Sequence, residues 1–251
     1  SAQGAIKPVY EVMQMGGAEF DQEKYIGAVK GYYTTSNGDM LSLPFNSSTP
    51  VLWVNRDKFA EAGLDPDMDL STWEQVGDTL TQLKDAGVDC PMTTAWQSWI
   101  HLENFSAYHD TPFATKANGF GGRDTELAFN SDAQVAHISA MGEWAQDGKF
   151  IYAGRRKEGG ANFSGRECAM FTKSSAGYAG IKAEADFAFD VRPLPYWEAV
   201  ASEPQNTIIG GASLWVMEGH EDEDYAGVAS FLNFLSSPEI QAKWHQDTGY
   251  L

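Results

Sequence analysis

Apolar residues along this chain alternate between a helical spacing of three and four and short unbroken runs. Trp73, Val76, Leu80 and Leu83 define one amphipathic stretch, with Ser71-Thr-Trp-Glu74 in the form of a capping box at its start and Gly87 at its end. Asn130 is placed to cap a second, with Val135, Ile138, Met141 and Ala145 on one face and Gly148 closing it. Tyr225, Val228, Leu232 and Leu235 give a third, and Ser237-Pro-Glu239 restarts a helix with a Ser cap and Pro at its first position. Between them Val51 to Val54, Val88 to Thr94, Cys168 to Thr172, Phe187 to Val191 and Ile208 to Met217 read as strands, the last interrupted by Gly210-Gly211. Ser174-Ser-Ala-Gly177 reads as a turn before a short helix over 178–185, and 111–122 as a surface loop. Alternating helix and strand predicts α/β layers with ligands at loop ends.

The segment Pro44-Phe-Asn-Ser-Ser-Thr-Pro50 stands apart from both patterns. Two prolines fix the backbone around an amide and three hydroxyls, and the apolar strand from Val51 then leads at once into a helix beginning near Asn55. Such a stretch suits an ordered crossing with donors and acceptors to spare, and hence a hinge that also touches a ligand.

At 251 residues and 43% hydrophobic, the chain can bury a substantial core as one large domain or two smaller ones. No apolar run approaches the roughly 20 residues of a membrane-spanning helix. With 17 basic against 35 acidic residues, the formal charge of -18 repels nucleic acid and anionic membrane. The N-terminus shows neither an initiating Met nor a charged and then apolar leader. Cys90 and Cys168 have no metal-binding spacing, and two readings stay open for them: buried free thiols, or one bridge between adjacent strands in an oxidising compartment.

Three motifs carry a resemblance over nearly the whole chain from Ile6 onward: Pro44-Phe-Asn-Ser-Ser-Thr-Pro-Val-Leu52, Trp96-Gln-Ser-Trp99 with Leu102-Glu-Asn-Phe-Ser-Ala107, and Ile208-Ile-Gly-Gly-Ala-Ser-Leu-Trp-Val-Met217. Together with Trp244-His-Gln-Asp-Thr-Gly-Tyr-Leu251, they resemble the sn-glycerol-3-phosphate-binding proteins of bacterial ABC importers. The resemblance implies an extracytoplasmic or periplasmic, monomeric solute-binding protein of the maltose-binding-like class. Its α/β fold has two lobes joined by hinge crossings, closes on a glycerophosphate ligand and delivers it to an ABC permease. Lobe one is expected to comprise 1–48 and 212–251, and lobe two 49–211. Family members extend beyond both ends of this chain, so it is expected to be an internal portion that lacks some ligand contacts. As an isolated fragment it is expected to dissolve or bind poorly.

The resemblance also transfers five ligand-binding positions, each with a plainer reading beside it. Ser48 matches a serine at the lobe crossing that donates to a ligand oxygen, against an ordinary turn serine. Trp96 matches an aromatic floor for the glycerol CH groups, against a core Trp. Ser174 matches a serine before a short helix, where several free N–H groups and the helix dipole suit a phosphate, against a plain helix cap. Gly211 matches a glycine that lets a main-chain N–H reach the ligand, against a plain strand glycine. Tyr250 matches a tyrosine whose hydroxyl reaches a ligand oxygen, against a core aromatic.

Neutral donors acting at short range reconcile an anionic ligand with so acidic a chain, because salt screens exposed charges beyond about 8–10 Å. Arg155-Arg-Lys157 reads as a solvated loop rather than the phosphate site. No cofactor or metal motif appears. Two rivals remain: an oligosaccharide-binding protein, because Trp-lined clefts also stack on sugars, and a hydrolase of glycerophosphodiesters. Glu103, Glu143 and Glu218, with His101, His109, His137, His220 and His245, are available to the latter, but none lies in a nucleophile elbow, phosphate loop or HExxH arrangement.

Overall fold

The computed structural model describes residues 4–17, 20–35 and 37–251. In chain order the strands are β1 (Ile6–Lys7), β2 (Leu43–Ser48), β3 (Pro50–Asn55), β4 (Cys90–Thr94), β5 (Phe150–Ile151), β6 (Cys168–Ser174), β7 (Phe189–Arg192), β8 (Gly210–Leu214) and β9 (Val216–Met217). The chain divides into two compact units, Ser1–Thr49 with Ile209–Leu251 (unit one) and Pro50–Ile208 (unit two).

Unit two is built on a five-stranded mixed sheet of order β5-β4-β6-β3-β7. β4 runs parallel to both β5 and β6, while β3 is antiparallel to β6 and β7. Successive residues of a strand point to opposite faces, and β3 is buried on both, which is why it reads as an unbroken apolar run. Leu52 and Val54 pack with Trp73, Val76, Leu80 and Leu83 of the helix Trp73–Asp85. Val51 and Trp53 pack on the other side with Phe163, Phe171, Ile181 and Phe187. Asn55 ends the strand and accepts the Lys58 N–H at 3.0 Å, capping the helix Arg56–Glu61.

Two helix predictions shift in register. The capping box belongs to Thr72 and Gln75, not Ser71 and Glu74: Thr72 Oγ1 accepts the Gln75 N–H, and Gln75 Oε1 accepts the Thr72 N–H. The cause is tertiary, since Ser71 O and the Trp73 N–H both pair with the backbone of Tyr196 and hold Thr72 extended. The helix Asp132–Gln146 is capped by Ser131 rather than Asn130, and its predicted apolar face is not the buried one. Val135 and Ile138 are 49% and 46% exposed, while Gln134, His137 and Met141 are buried.

That buried polar face is fully hydrogen-bonded. Gln134 Nε2 donates to Ser106 Oγ at 2.8 Å, and Trp197 Nε1–H donates to His137 Nδ1 at 2.9 Å. A neutral His137 therefore carries its proton on Nε2 and donates to His101 Nδ1 at 3.2 Å. His101 in turn donates from Nε2 to the Thr94 and Thr172 hydroxyls, each at 3.0 Å. His109 accepts the Trp197 backbone N–H at Nε2 and donates from Nδ1 to Phe105 O.

Cys90 and Cys168, paired in register on β4 and β6, form a disulfide across 78 residues of sequence. Of the two readings open for these cysteines, the bridge is the one realised, and the free-thiol reading is corrected.

Unit one has two two-stranded antiparallel sheets, β1 with β9 and β2 with β8. The predicted single strand over 208–217 is thus two short ones. Val9, Val12 and Met13 of the helix Val9–Met15 pack with Met40, Leu43, Val216 and with Tyr225, Ala229 and Leu232 of the helix Asp222–Leu235. Gly211 has φ +123, and a Cβ there would lie 1.5 Å from Asn46 O, so only glycine fits opposite β2.

Loop-closure entropy assigns the disulfide about 4 kcal/mol. Reduction, or the C90S/C168S double substitution, should therefore lower the urea midpoint markedly, and an unchanged midpoint contradicts a formed bridge. Burial pushes His101 down to about 4 and His109 and His137 below their ordinary value, with charge from the other two histidines adding to the effect at His137. Groups with depressed folded values stabilise fully above the unfolded pKa near 6.5 and lose that stability as pH falls toward the folded value. For His101 alone the loss amounts to roughly 3 kcal/mol. Urea unfolding should weaken between pH 6.5 and 4.5, and stability that is flat across that window contradicts a neutral histidine wire.

Candidate functional site

Parallel pairing sets Thr94 of β4 opposite Thr172 of β6, and two residues beyond each lie Trp96 and Ser174. The two unit-two candidates therefore emerge together at the carboxyl ends of neighbouring parallel strands, where α/β sheets bind ligands. Ala95 N–H, donating to Thr172 O at 2.9 Å, extends the pairing one step further.

Trp96 has φ +51, a left-handed conformation rare for a large aromatic, and its N–H donates to Arg156 O at 2.8 Å. The geometry leaves the indole 40% exposed, and the Arg156 guanidinium lies over the ring, 5.9 Å from its centroid. Holding a bulky residue there costs about 1–3 kcal/mol, and such strain concentrates at functional sites. Trp99, the other tryptophan of the motif, is partly buried against Ile100, Tyr108 and Leu194.

Ser174 ends β6 opposite Pro50, and its Oγ accepts the Ala176 N–H at 3.2 Å. A single 3-10 turn, Ser175–Gly177, then leads into the helix Tyr178–Glu184, whose first N–H donates to Ser175 O. This corrects the expected row of free N–H groups: Ala176 and Tyr178 spend theirs locally, and the helix is only 7 residues long. The Ser174 hydroxyl proton has no acceptor among the described residues, so the side chain can donate outward.

Lys173, next to it, was not singled out by the sequence reading. It lies on the face of Phe171, with its Nζ 5.6 Å from that ring's centroid. Burial holds its ammonium below the usual lysine range, Lys157 acts in the same direction and Glu184 opposes both. The signal available in the sequence was a lysine inside an otherwise uncharged strand, Cys168-Ala-Met-Phe-Thr-Lys-Ser174.

In unit one, Ser48, Gly211 and Tyr250 converge around Ser47. Ser48 is its neighbour on β2 and is buried, Gly211 is its cross-strand partner, and Leu251 N–H donates to Ser47 O at 2.6 Å, which brings Tyr250 alongside. Tyr250 is anchored through its backbone, its carbonyl accepting from His245 Nδ1 at 2.8 Å. Asn46 Oδ1 and Ser47 Oγ are buried there with no hydrogen-bond partner among the described residues. Gly211 also lines a cavity of about 360 Å³ with Tyr32, Tyr33, Ser213 and Trp215. A larger one of about 560 Å³ between Tyr25, Pro44 and His245 contains none of the five candidates. Of the histidines considered as bases, His101, His109 and His137 are committed to the buried network described above.

The comparisons agree with this architecture. Residues 2–251 match the family described as bacterial extracellular solute-binding protein. The sn-glycerol-3-phosphate-binding periplasmic protein UgpB of Salmonella typhimurium is 49% identical over 251 residues, which cover 100% of this chain and 57% of that protein. Among solved structures, UgpB from Mycobacterium tuberculosis in complex with glycerophosphocholine aligns with a TM-score of 0.78 at 21% identity, over 100% of this chain and 62% of that one. The cyclic alpha-maltosyl-1,6-maltose binding protein from Arthrobacter globiformis aligns with a TM-score of 0.75 at 22% identity, over 99% and 60%. This chain thus spans little more than half the length of the curated relative, and the two solved structures speak for its fold. The match over residues 2–251 places the chain in the bacterial extracellular solute-binding protein family.

Proposed function

We propose that the chain is the part of an extracytoplasmic, periplasmic binding protein that captures sn-glycerol 3-phosphate or a glycerophosphodiester such as glycerophosphocholine, for delivery to an ABC transporter permease. The observation that carries the reading is the position of Trp96 and Ser174, each two residues past the Thr94–Thr172 pair at the ends of β4 and β6. An exposed indole face accepts the CH groups of a glycerol backbone, and a hydroxyl beside it donates to a phosphate oxygen. In unit one, Ser48, Gly211 and Tyr250 form a second group of neutral donors around Ser47. The 49% identity to a relative named for sn-glycerol 3-phosphate supports the same ligand class. Binding and release need no bond to break, so this role involves no catalysis; it is the role of a monomer, and the formal charge of -18 opposes nucleic acid as a partner.

Titration calorimetry of the full-length gene product with sn-glycerol 3-phosphate, glycerophosphocholine and maltose tests this. Heat and thermal stabilisation are expected with at least one glycerophosphate, with the ligand recovered intact and no response to maltose. Silence with both glycerophosphates, or maltose binding in their place, contradicts the reading.

A further inference from the structure

Eight basic residues of unit two, Lys58, Lys84, Arg123, Lys182, Arg155, Arg156, Lys157 and Lys173, take part in no ion pair among the described residues, although the chain carries 35 acidic side chains; the last four concern the candidate site. Three of these four lie on an exposed loop, but Lys173 is half-buried. Its stem is held in a slot made by two glycines. A Cβ on Gly177 would lie 2.8 Å from Lys173 Cε, and one on Gly160 would lie 3.6 Å from Nζ. A desolvated ammonium without an ion-pair partner is costly, and the ring face and the Glu184 carboxylate, beyond ion-pair distance, offset only part of that cost.

The slot is continuous with the candidate site. Gly160 N–H donates to Lys157 O at 2.9 Å, and Arg156, the preceding residue, receives the Trp96 N–H and covers the Trp96 ring. Ser174 follows Lys173 at the end of β6, so the two side chains leave the strand on opposite faces, and the ammonium approaches the strand end from the Phe171 face. The Lys173 ammonium, the Lys157 loop and the Arg156-covered Trp96 ring are thereby linked through Gly160, and the positive charge there has no ion-pair partner among the described residues, Glu184 and Glu158 acting only from beyond ion-pair distance.

We propose that Lys173 is a specificity-determining residue whose ammonium supplies the charge for the ligand's phosphate, favouring a doubly charged monoester over a singly charged diester. The inference rests on the glycerophosphate reading above. Lys157 adds to the local potential from the solvated loop. The gain from Lys173 is largest for the ligand with most charge, because each phosphate charge meets the same fixed ammonium.

The test compares wild type, K173M and K173R in the full-length protein by calorimetry with sn-glycerol 3-phosphate and glycerophosphocholine, in low salt and in 0.5 M sodium chloride, the salt level being about three times physiological. Loss of one charge-assisted hydrogen bond predicts that K173M binds sn-glycerol 3-phosphate roughly tenfold or more weakly. Glycerophosphocholine should be affected less, the salt dependence of K173M should be shallower, and K173R should retain most of the affinity. Circular dichroism and thermal melts establish that each variant is folded. Wild-type affinity and salt dependence in folded K173M overturn the proposal. Loss in K173R as large as in K173M also overturns it, because shape rather than charge would then matter. Absence of binding by wild type overturns the underlying ligand reading instead.

Discussion

The parallel register of β4 against β6 governs the rest of unit two. It sets Cys90 opposite Cys168, Met92 opposite Met170 and Thr94 opposite Thr172. At one end the pairing permits the disulfide, in the middle it fills the core beneath the helix Trp73–Asp85, and at the other it joins two threonines to the histidine network. Trp96 and Ser174 leave the sheet just past that last pair. A slip of one residue would turn each side chain to the opposite face and separate all these partners at once. The bridge and the buried hydroxyls therefore fix the same alignment that presents the candidate ligand groups.

Polar burial in this unit follows from that alignment. Thr94, Thr172, His101, His137 and Trp197 form a chain in which every ring nitrogen has one assigned role. An added proton on His137 or His101 would set one N–H against another, so the network favours neutral imidazoles as well as requiring a dry environment. The strands are held at the ends nearest Trp96 and Ser174 by directional bonds rather than by apolar contact alone. This suits a site where the indole of Trp96 is kept in a strained and exposed conformation.

Much of the fold was legible in the sequence because apolar spacing and burial coincide in β3, in β6 and in the helix from Trp73. Legibility failed where polar residues form the core. In the helix Asp132–Gln146 the spacing of Val135 and Ile138 selects a face that turns out exposed, because Gln134 and His137 find partners on neighbouring elements that no local pattern reveals. The one-residue shift of the capping box has the same origin in the distant Tyr196. The five candidate positions came from resemblance rather than periodicity. Physical reading then altered two of them: Gly211 is required by the approach of Asn46 O, and Ser174 offers a hydroxyl rather than a row of free amides. Lys173 escaped notice because a lone strand lysine ordinarily signals an exposed edge. Only the three-dimensional slot between Gly160 and Gly177 gives it meaning.

On the proposed reading an acidic chain takes an anion, which requires donors concentrated locally, and unit two offers a hydroxyl, an indole and cations without an ion-pair partner among the described residues. The most direct measurement is a crystal structure of the full-length protein with sn-glycerol 3-phosphate. The account predicts phosphate oxygens within hydrogen-bonding distance of Ser174 Oγ and Lys173 Nζ, with the glycerol carbons against the Trp96 ring. Ligand density that touches none of these three residues would contradict it.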